Sequence, residues 1–231
     1  MKNNKYLKIN LLFILYKTMD KCFLLFTILL LFNSCYNVEV GDTIKLPEPQ
    51  RVGGPSLYEA LNHRKTSRDF NESADISLEL LSQALWCCYG YAEDGHRTVP
   101  SAKAWYPLLI YVFTKDGVFL YNPEDHELTK LFDGDYRSLT GTQTEVVTKA
   151  AVNFVFIGDL NKYSAKLQDK KIKREAVKYD MGDVSEALYL FASANNMKGV
   201  VRGNFHESRI LKFLGLSSED YYLILAYSLG Y

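Results

Sequence analysis

Apolar positions recur along this chain with two different periods. Ser56-Leu57-Tyr58-Glu59 has capping-box spacing, and Leu57 and Leu61 lie one turn apart, which predicts a helix over about 56–63. After Ser77, the residues Leu78, Leu81, Leu85 and Cys88 share one helical face, and Gly90 supplies the stop. Residues 108–113 (LLIYVF) and 118–121 (VFLY) flank Thr114–Gly117, whose Asp116-Gly117 is a hairpin signal. Residues 151–157 (AVNFVFI) predict a buried strand. A long helix is expected from Met181, with Val184, Leu188 and Phe191 on one face and an end near Asn195-Asn196. Gly199–Arg202 predicts a short strand, Glu207–Leu214 a helix capped by Gly215, and Tyr221–Leu229 a last strand. Helices and strands in this order imply a layered α+β domain.

The segment before these elements behaves differently. Residues 36–55 lack periodicity and hold Pro47, Pro49, Gly53, Gly54 and Pro55, so they are expected to be an extended linker. Upstream, Lys2, Lys5, Lys8, Lys17 and Lys21 precede the uncharged run Cys22–Phe32, eleven residues long. A membrane-spanning helix needs about 20 apolar residues, whereas the core of a signal peptide needs about 7–15. Phe32-Asn33-Ser34 leads into Cys35, and the whole resembles a bacterial lipoprotein signal whose cysteine becomes the lipidated first residue. The alternative is an uncleaved N-terminal anchor. Met19 opens a tidier signal than Met1. The expected organisation is a signal over 1–35 with Cys35 as lipidation site, a linker over 36–55 and one domain over 56–231, held to the periplasmic or outer side of a bacterial membrane.

Charge narrows the partners. Lys+Arg and Asp+Glu both number 27, so the net charge is zero and the sequence-independent attraction to nucleic-acid phosphates is absent. Apolar residues at 48% and charged residues at 23% are ordinary for a globular domain and exclude wholesale disorder. Four cysteines are too few and too irregularly spaced for a disulfide framework, and Cys87-Cys88 fall inside a helical pattern as buried small residues. The histidines (His63, His96, His126, His206) have no partner at ligand spacing, so each is expected to be structural and no metal site is expected. The lysines across Lys162–Lys178 are expected to form a solvated helix face.

Two segments carry candidate chemistry. Arg64-Lys65-Thr66-Ser67-Arg68-Asp69-Phe70 packs three cations and two hydroxyls at the end of the first helix. Arg97-Thr98-Val99-Pro100-Ser101-Ala102-Lys103-Ala104-Trp105-Tyr106-Pro107-Leu108 leads into the hairpin. Together with Leu46-Pro47-Glu48-Pro49, Leu85-Trp86-Cys87-Cys88-Tyr89-Gly90, Asp180-Met181-Gly182 and Arg202-Gly203-Asn204-Phe205, they resemble in unbroken order the nitroreductase family of flavin enzymes, in its SagB-type branch.

That resemblance implies an α+β nitroreductase-like fold, a central sheet flanked by helices, and a homodimer with FMN at its interface. It implies that Arg64, Lys65 and Thr66 supply cations and donors to the phosphate. It places Arg68 near the N1/O2 edge of the flavin, where a cation stabilises charge developing on the ring. Pro100, Ser101 and Ala102 would pass beside the ring, and Arg202-Gly203 would present main-chain groups near N5. The flavin carries the chemistry, so no catalytic acid or nucleophile is expected. The expected partners are a small organic substrate and an electron donor of unknown identity. Lys103 stands where the family motif has glycine, the long helix has Val184-Ser185-Glu186 where the family often has Gln-Asn, and the chain stops at Tyr231 where many relatives continue to another phosphate-binding cation. The alternatives are a flavin- or ligand-binding envelope lipoprotein without turnover, and an azoline dehydrogenase acting on a modified peptide.

Overall fold

The computed structural model describes residues 40–231; the apolar run Cys22–Phe32 and Cys35 lie outside them. Among the described residues no helix is long and apolar enough to cross a membrane.

The most apolar strand sets the centre. Val152–Asp159 (β5) is buried at every position but the last, because its alternating side chains enter two different cores. Val152, Phe154 and Phe156 point into one, Val155 and Ile157 into the other. The hairpin strands Leu108–Phe113 (β2) and Gly117–Asn122 (β3) form as the 108–121 pattern predicts. Two strands join them that the pattern did not predict: Thr43–Lys45 (β1) and Glu127–Asp133 (β4). Lys198–Arg202 (β6) and Tyr221–Gly230 (β7) complete one sheet in the order β1-β4-β3-β2-β5-β7-β6. Every neighbouring pair is antiparallel.

Helices cover both faces. Leu57–His63 (α1) is closed at its start by the predicted capping box, Ser56 exchanging hydrogen bonds with Glu59. Leu78–Tyr89 (α2) buries Leu81, Leu85 and Cys88 and ends at Gly90. Thr144–Lys149 (α3) is short and was not anticipated. Lys170–Ala194 (α4) crosses the sheet on the stripe Val177, Met181, Val184, Leu188 and Phe191. Glu207–Phe213 (α5) packs Ile210 and Leu211 on the opposite face.

Two expectations need correction. The long helix begins at Lys170, not near Met181, because Asp169 caps it by accepting from the amides of Lys171 and Ile172. Its first two turns are mostly charged, so the apolar period becomes visible only from Val177. Residues 40–55 of the expected linker are not simply a linker either. Ile44 pairs with Leu128, Leu46 is 3% exposed, and the Pro47 carbonyl accepts from Ser82 Oγ at 2.5 Å. Gln83 grips Gln50 at both backbone groups, at 2.6 and 2.9 Å. His126 completes this clasp: its ring nitrogens reach Ser82 Oγ at 2.8 Å and Tyr121 Oη at 2.9 Å, and burial holds its pKa below the usual histidine range. Proline and glycine conceal the strap because its partners are side chains on α2.

One glycine holds the sheet's far edge. A Cβ on Gly199 would sit 1.9 Å from Tyr227 Oη, a buried hydroxyl with no hydrogen-bond partner among the described residues. Gly199→Ala is expected to destabilise the fold by about 1–3 kcal/mol, the range for overpacking a core. In a Tyr227→Phe background the cost should be smaller, since the hydroxyl is the nearest obstacle. Urea unfolding of the four variants measures this, and an equal cost in both backgrounds would remove the explanation.

Candidate functional site

The segment after α1 is pinned at three points. The Ser67 amide donates to the Gly199 carbonyl at 3.0 Å. Phe70 buries its ring against Ala150 and Val200. The Asn71 amide donates to the Tyr231 carbonyl at 2.7 Å. Within this frame, Tyr189 of α4 acts as a hub. Its hydroxyl accepts from the Val201 amide at 3.0 Å and lies 3.1 Å from Thr66 Oγ1, while the Arg64 guanidinium sits 5.3 Å from its ring centre. Among the described residues, Arg64, Lys65 and Arg68 have no carboxylate within ion-pair distance; Lys198 is the cation that pairs with Asp69, at 3.7 Å. Lys65 and Arg68 are exposed. Lys65 also lines a cavity of about 300 Å³ together with His63, Ser193, Asn196 and Lys198.

The second segment is locked by charge at both ends. Arg97 lies 4.0 to 5.0 Å from the ring centres of Tyr89, Tyr91 and Tyr106. It donates to the Tyr89 carbonyl at 2.9 Å and pairs with Glu124 at 3.2 Å, a carboxylate that also accepts from Tyr91 Oη. Further along, the buried Asp180 of α4 spends both oxygens on the loop. Oδ2 accepts from Ser101 Oγ at 2.5 Å and Oδ1 from the Ala102 amide at 3.0 Å. Ser101 Oγ in turn accepts from the Tyr106 amide at 2.9 Å. Between these anchors, Lys103, Ala104 and Tyr106 have φ of +50°, +53° and +45°. Each left-handed non-glycine residue costs about 1–2 kcal/mol, so the clamp must over-determine the loop.

Asp180 and Tyr189 lie nine residues apart on α4, about 13 Å at 1.5 Å per residue. One rigid helix therefore holds both segments in fixed relation. Arg202 supports them from the sheet. Its side chain is 5% exposed and donates to Ser228 Oγ, the Thr140 carbonyl, Thr140 Oγ1 and Asn153 Oδ1 at 2.7 to 3.3 Å. Burial lowers its pKa to about 10, which leaves it charged at neutral pH. A Cβ on Gly141 would meet Arg202 Nη1 at 2.2 Å, so that position has no room for a side chain.

Comparison with known proteins then decides the family. Residues 61–231 match the nitroreductase family model. The chain belongs to the nitroreductase family. A curated Methanocaldococcus jannaschii protein named as a nitroreductase is 28% identical over 198 residues, covering 80% of this chain and 96% of the relative. A nitroreductase structure from Ralstonia eutropha JMP134 superposes with a TM-score of 0.75 at 28% identity, over 84% of this chain and 91% of that one. A structure from Desulfovibrio desulfuricans, described as a nitroreductase in complex with FMN, shares the fold at a TM-score of 0.54 and 15% identity, over 77% and 87% of the two chains.

Within this nitroreductase fold, the expected residues divide. Arg64, Lys65, Thr66 and Arg68 gather along one segment, and Pro100, Ser101 and Ala102 along the other, both steadied by α4. Arg202 differs: its side chain is committed to the core and the residue is buried as a whole, so of this pair only Gly203 is exposed. The reading of residues did not give roles to Tyr189, Arg97, Thr140, Asn153 or Ser228. For Asp180 there was a signal. A carboxylate three residues after Val177 and four before Val184 stands on an apolar stripe, where an unpaired charge is costly. Asp180→Ala is expected to cost about 1.5–3 kcal/mol, as for losing hydrogen bonds to a charged group. It should also abolish hydrogen-exchange protection at the Ala102 amide. Retained protection at that amide would show that Asp180 is not the clamp.

Proposed function

We propose that this nitroreductase-family chain is an FMN-dependent oxidoreductase that works as a homodimer on a small organic substrate. The observation that carries the reading is the set of cations Arg64, Lys65 and Arg68, which have no carboxylate within ion-pair distance among the described residues, on a segment that Arg64 and Thr66 join to Tyr189 of α4, the helix that also holds the Ser101 loop. Their donor chemistry fits a phosphate monoester, and Thr66 adds a hydroxyl whose oxygen is already oriented by Tyr189. When bound, FMN supplies the reversible uptake of a hydride equivalent. The chain's own task is binding and orientation: Arg64, Lys65 and Thr66 hold the phosphate, Arg68 balances negative charge on the ring system, and the Pro100–Ala102 backbone with Gly203 lines its edge. The FMN reported in the Desulfovibrio relative supports this choice of cofactor.

Three features support the dimer. The expected cofactor residues lie largely open to solvent in one chain, α1 exposes Leu57, Tyr58 and Leu61, and α4 exposes Ile172 and Tyr179. A flat ring held at such a surface needs covering, and a second copy offers the same apolar face. For location, the reading is a lipid anchor at Cys35, a SagB-type branch member on the outer side of a bacterial membrane, and an electron donor available there.

The test is FMN titration of the purified mature chain, with mass followed by light scattering. The wild type should bind FMN as a dimer, and Arg64→Ala should weaken binding by about 1.5–3 kcal/mol. Unchanged affinity removes the phosphate assignment, and an FMN-loaded monomer removes the dimer. For the anchor, fractionation of cells should find the wild type in membranes and Cys35→Ala released from them. Full-length soluble protein in both cases overturns the lipidation.

A further inference from the structure

We infer that Lys103 selects the acceptor, and that the acceptor is a flat aromatic anion such as a carboxylated arene. This deepens the flavin-enzyme reading and rests on it.

Lys103 occupies the centre of the loop that Asp180 clamps, at φ +50°, where glycine would sit without strain. The side chain is exposed, and its ammonium lies 5.3 Å from the Trp105 ring centre. Among the described residues no carboxylate lies within ion-pair distance of it. Asp180, which clamps this loop, has both oxygens engaged by Ser101 and Ala102.

Trp105 is held in turn. Its ring meets Tyr163 edge-on at 4.8 Å, and Tyr163 is 5% exposed. The neighbouring Lys173 donates to the Leu160 carbonyl at 2.9 Å and lies 5.9 Å from the Tyr163 ring centre, which leaves Lys103 as the cation turned outward here. The result is an exposed ammonium over a half-buried indole, with no carboxylate within ion-pair distance among the described residues, on the loop expected to border the flavin. A carboxylated arene can lay its ring against the part of the indole left exposed and pair its carboxylate with this ammonium. A neutral aromatic gains only the first contact.

Benzoate and benzamide separate the two contacts, because they share a ring and differ in charge. Their binding is measured by isothermal titration and tryptophan fluorescence on FMN-loaded wild type, Lys103→Met and Lys103→Arg. Wild type should prefer benzoate by about threefold to fivefold, the scale of an exposed ion pair. The preference should shrink with added salt, vanish in Lys103→Met and persist in Lys103→Arg. Lys103→Met should take up FMN as the wild type does. Equal affinities for the two probes in FMN-loaded wild type overturn the assignment, as does a preference that survives Lys103→Met. Weakened FMN uptake by Lys103→Met with an unchanged ratio also overturns it, since the cation would then serve the cofactor. A wild type that takes up no FMN instead sinks the flavin reading, and the two failures are thereby distinct.

Discussion

Asp180 is a charge buried within the apolar stripe of α4, and its two hydrogen bonds to Ser101 and Ala102 are what make that burial tolerable. The dependence is mutual. Without the carboxylate, the three left-handed residues between 103 and 106 would rest on the Ser101–Tyr106 hydrogen bond and on the packing of Trp105 and Tyr106 against Tyr163, Tyr89 and Arg97. Without the loop, the carboxylate would stand unpaired against Val177, Met181 and Val184. The same helix carries Tyr189, whose hydroxyl joins the Thr66 segment to β6. The separation of the two candidate half-sites is therefore a property of helical rise, not of loop packing. Loops alone rarely hold such a distance, because their backbones are free to move together.

The sheet's far edge repeats this logic with the opposite charge. Arg202 is buried with no carboxylate partner among the described residues, and neutral oxygens from Thr140, Asn153 and Ser228 accept from it instead. Asn153 also accepts from Ser228 Oγ and donates to the Val147 carbonyl, so the network joins β5, β6, β7 and α3. The Thr142 amide donates to the Asn204 carbonyl beside it. The partners come from the paired strands β5 and β7 and from Thr140, so the network ties the chain around residues 140–147 to the sheet. The exposed Gly203 turn inherits its position from this network, although the Arg202 side chain never reaches the surface.

Strong periods were readable from residues alone. The hairpin of β2 and β3, the apolar run of β5, the capped α1 and α2 and the last strand all follow from local pattern. What escaped has a common cause. β4 alternates Leu128 and Lys130 inward, and a lysine whose stem is buried looks polar in sequence. β1 is three residues long and exists because β4 offers it an edge. The start of α4 depends on a cap rather than a stripe. At the site, the segments were recognisable by their residue types in order, whereas Tyr189, Thr140, Asn153 and Ser228 act through contacts 26 to 123 residues distant. Such partners carry no local signature.

The arrangement also explains why chemistry-bearing residues cluster where the fold spends least of its own stability. The cores on the two sheet faces bury Phe154, Phe156, Leu188, Ile157 and Ile210 almost completely, so they set the global stability. The 64–68 segment and the 100–104 loop contribute little apolar burial and instead hang from a few charged or hydroxyl contacts. Those contacts can be strained because the core behind them is not. A left-handed Lys103 can then be kept facing outward, at a local cost that two oxygens of one aspartate offset. Asp180 and Arg202, the buried charges beside these segments, are satisfied by the chain itself, whereas the cations of the 64–68 segment and Lys103 have no carboxylate within ion-pair distance among the described residues.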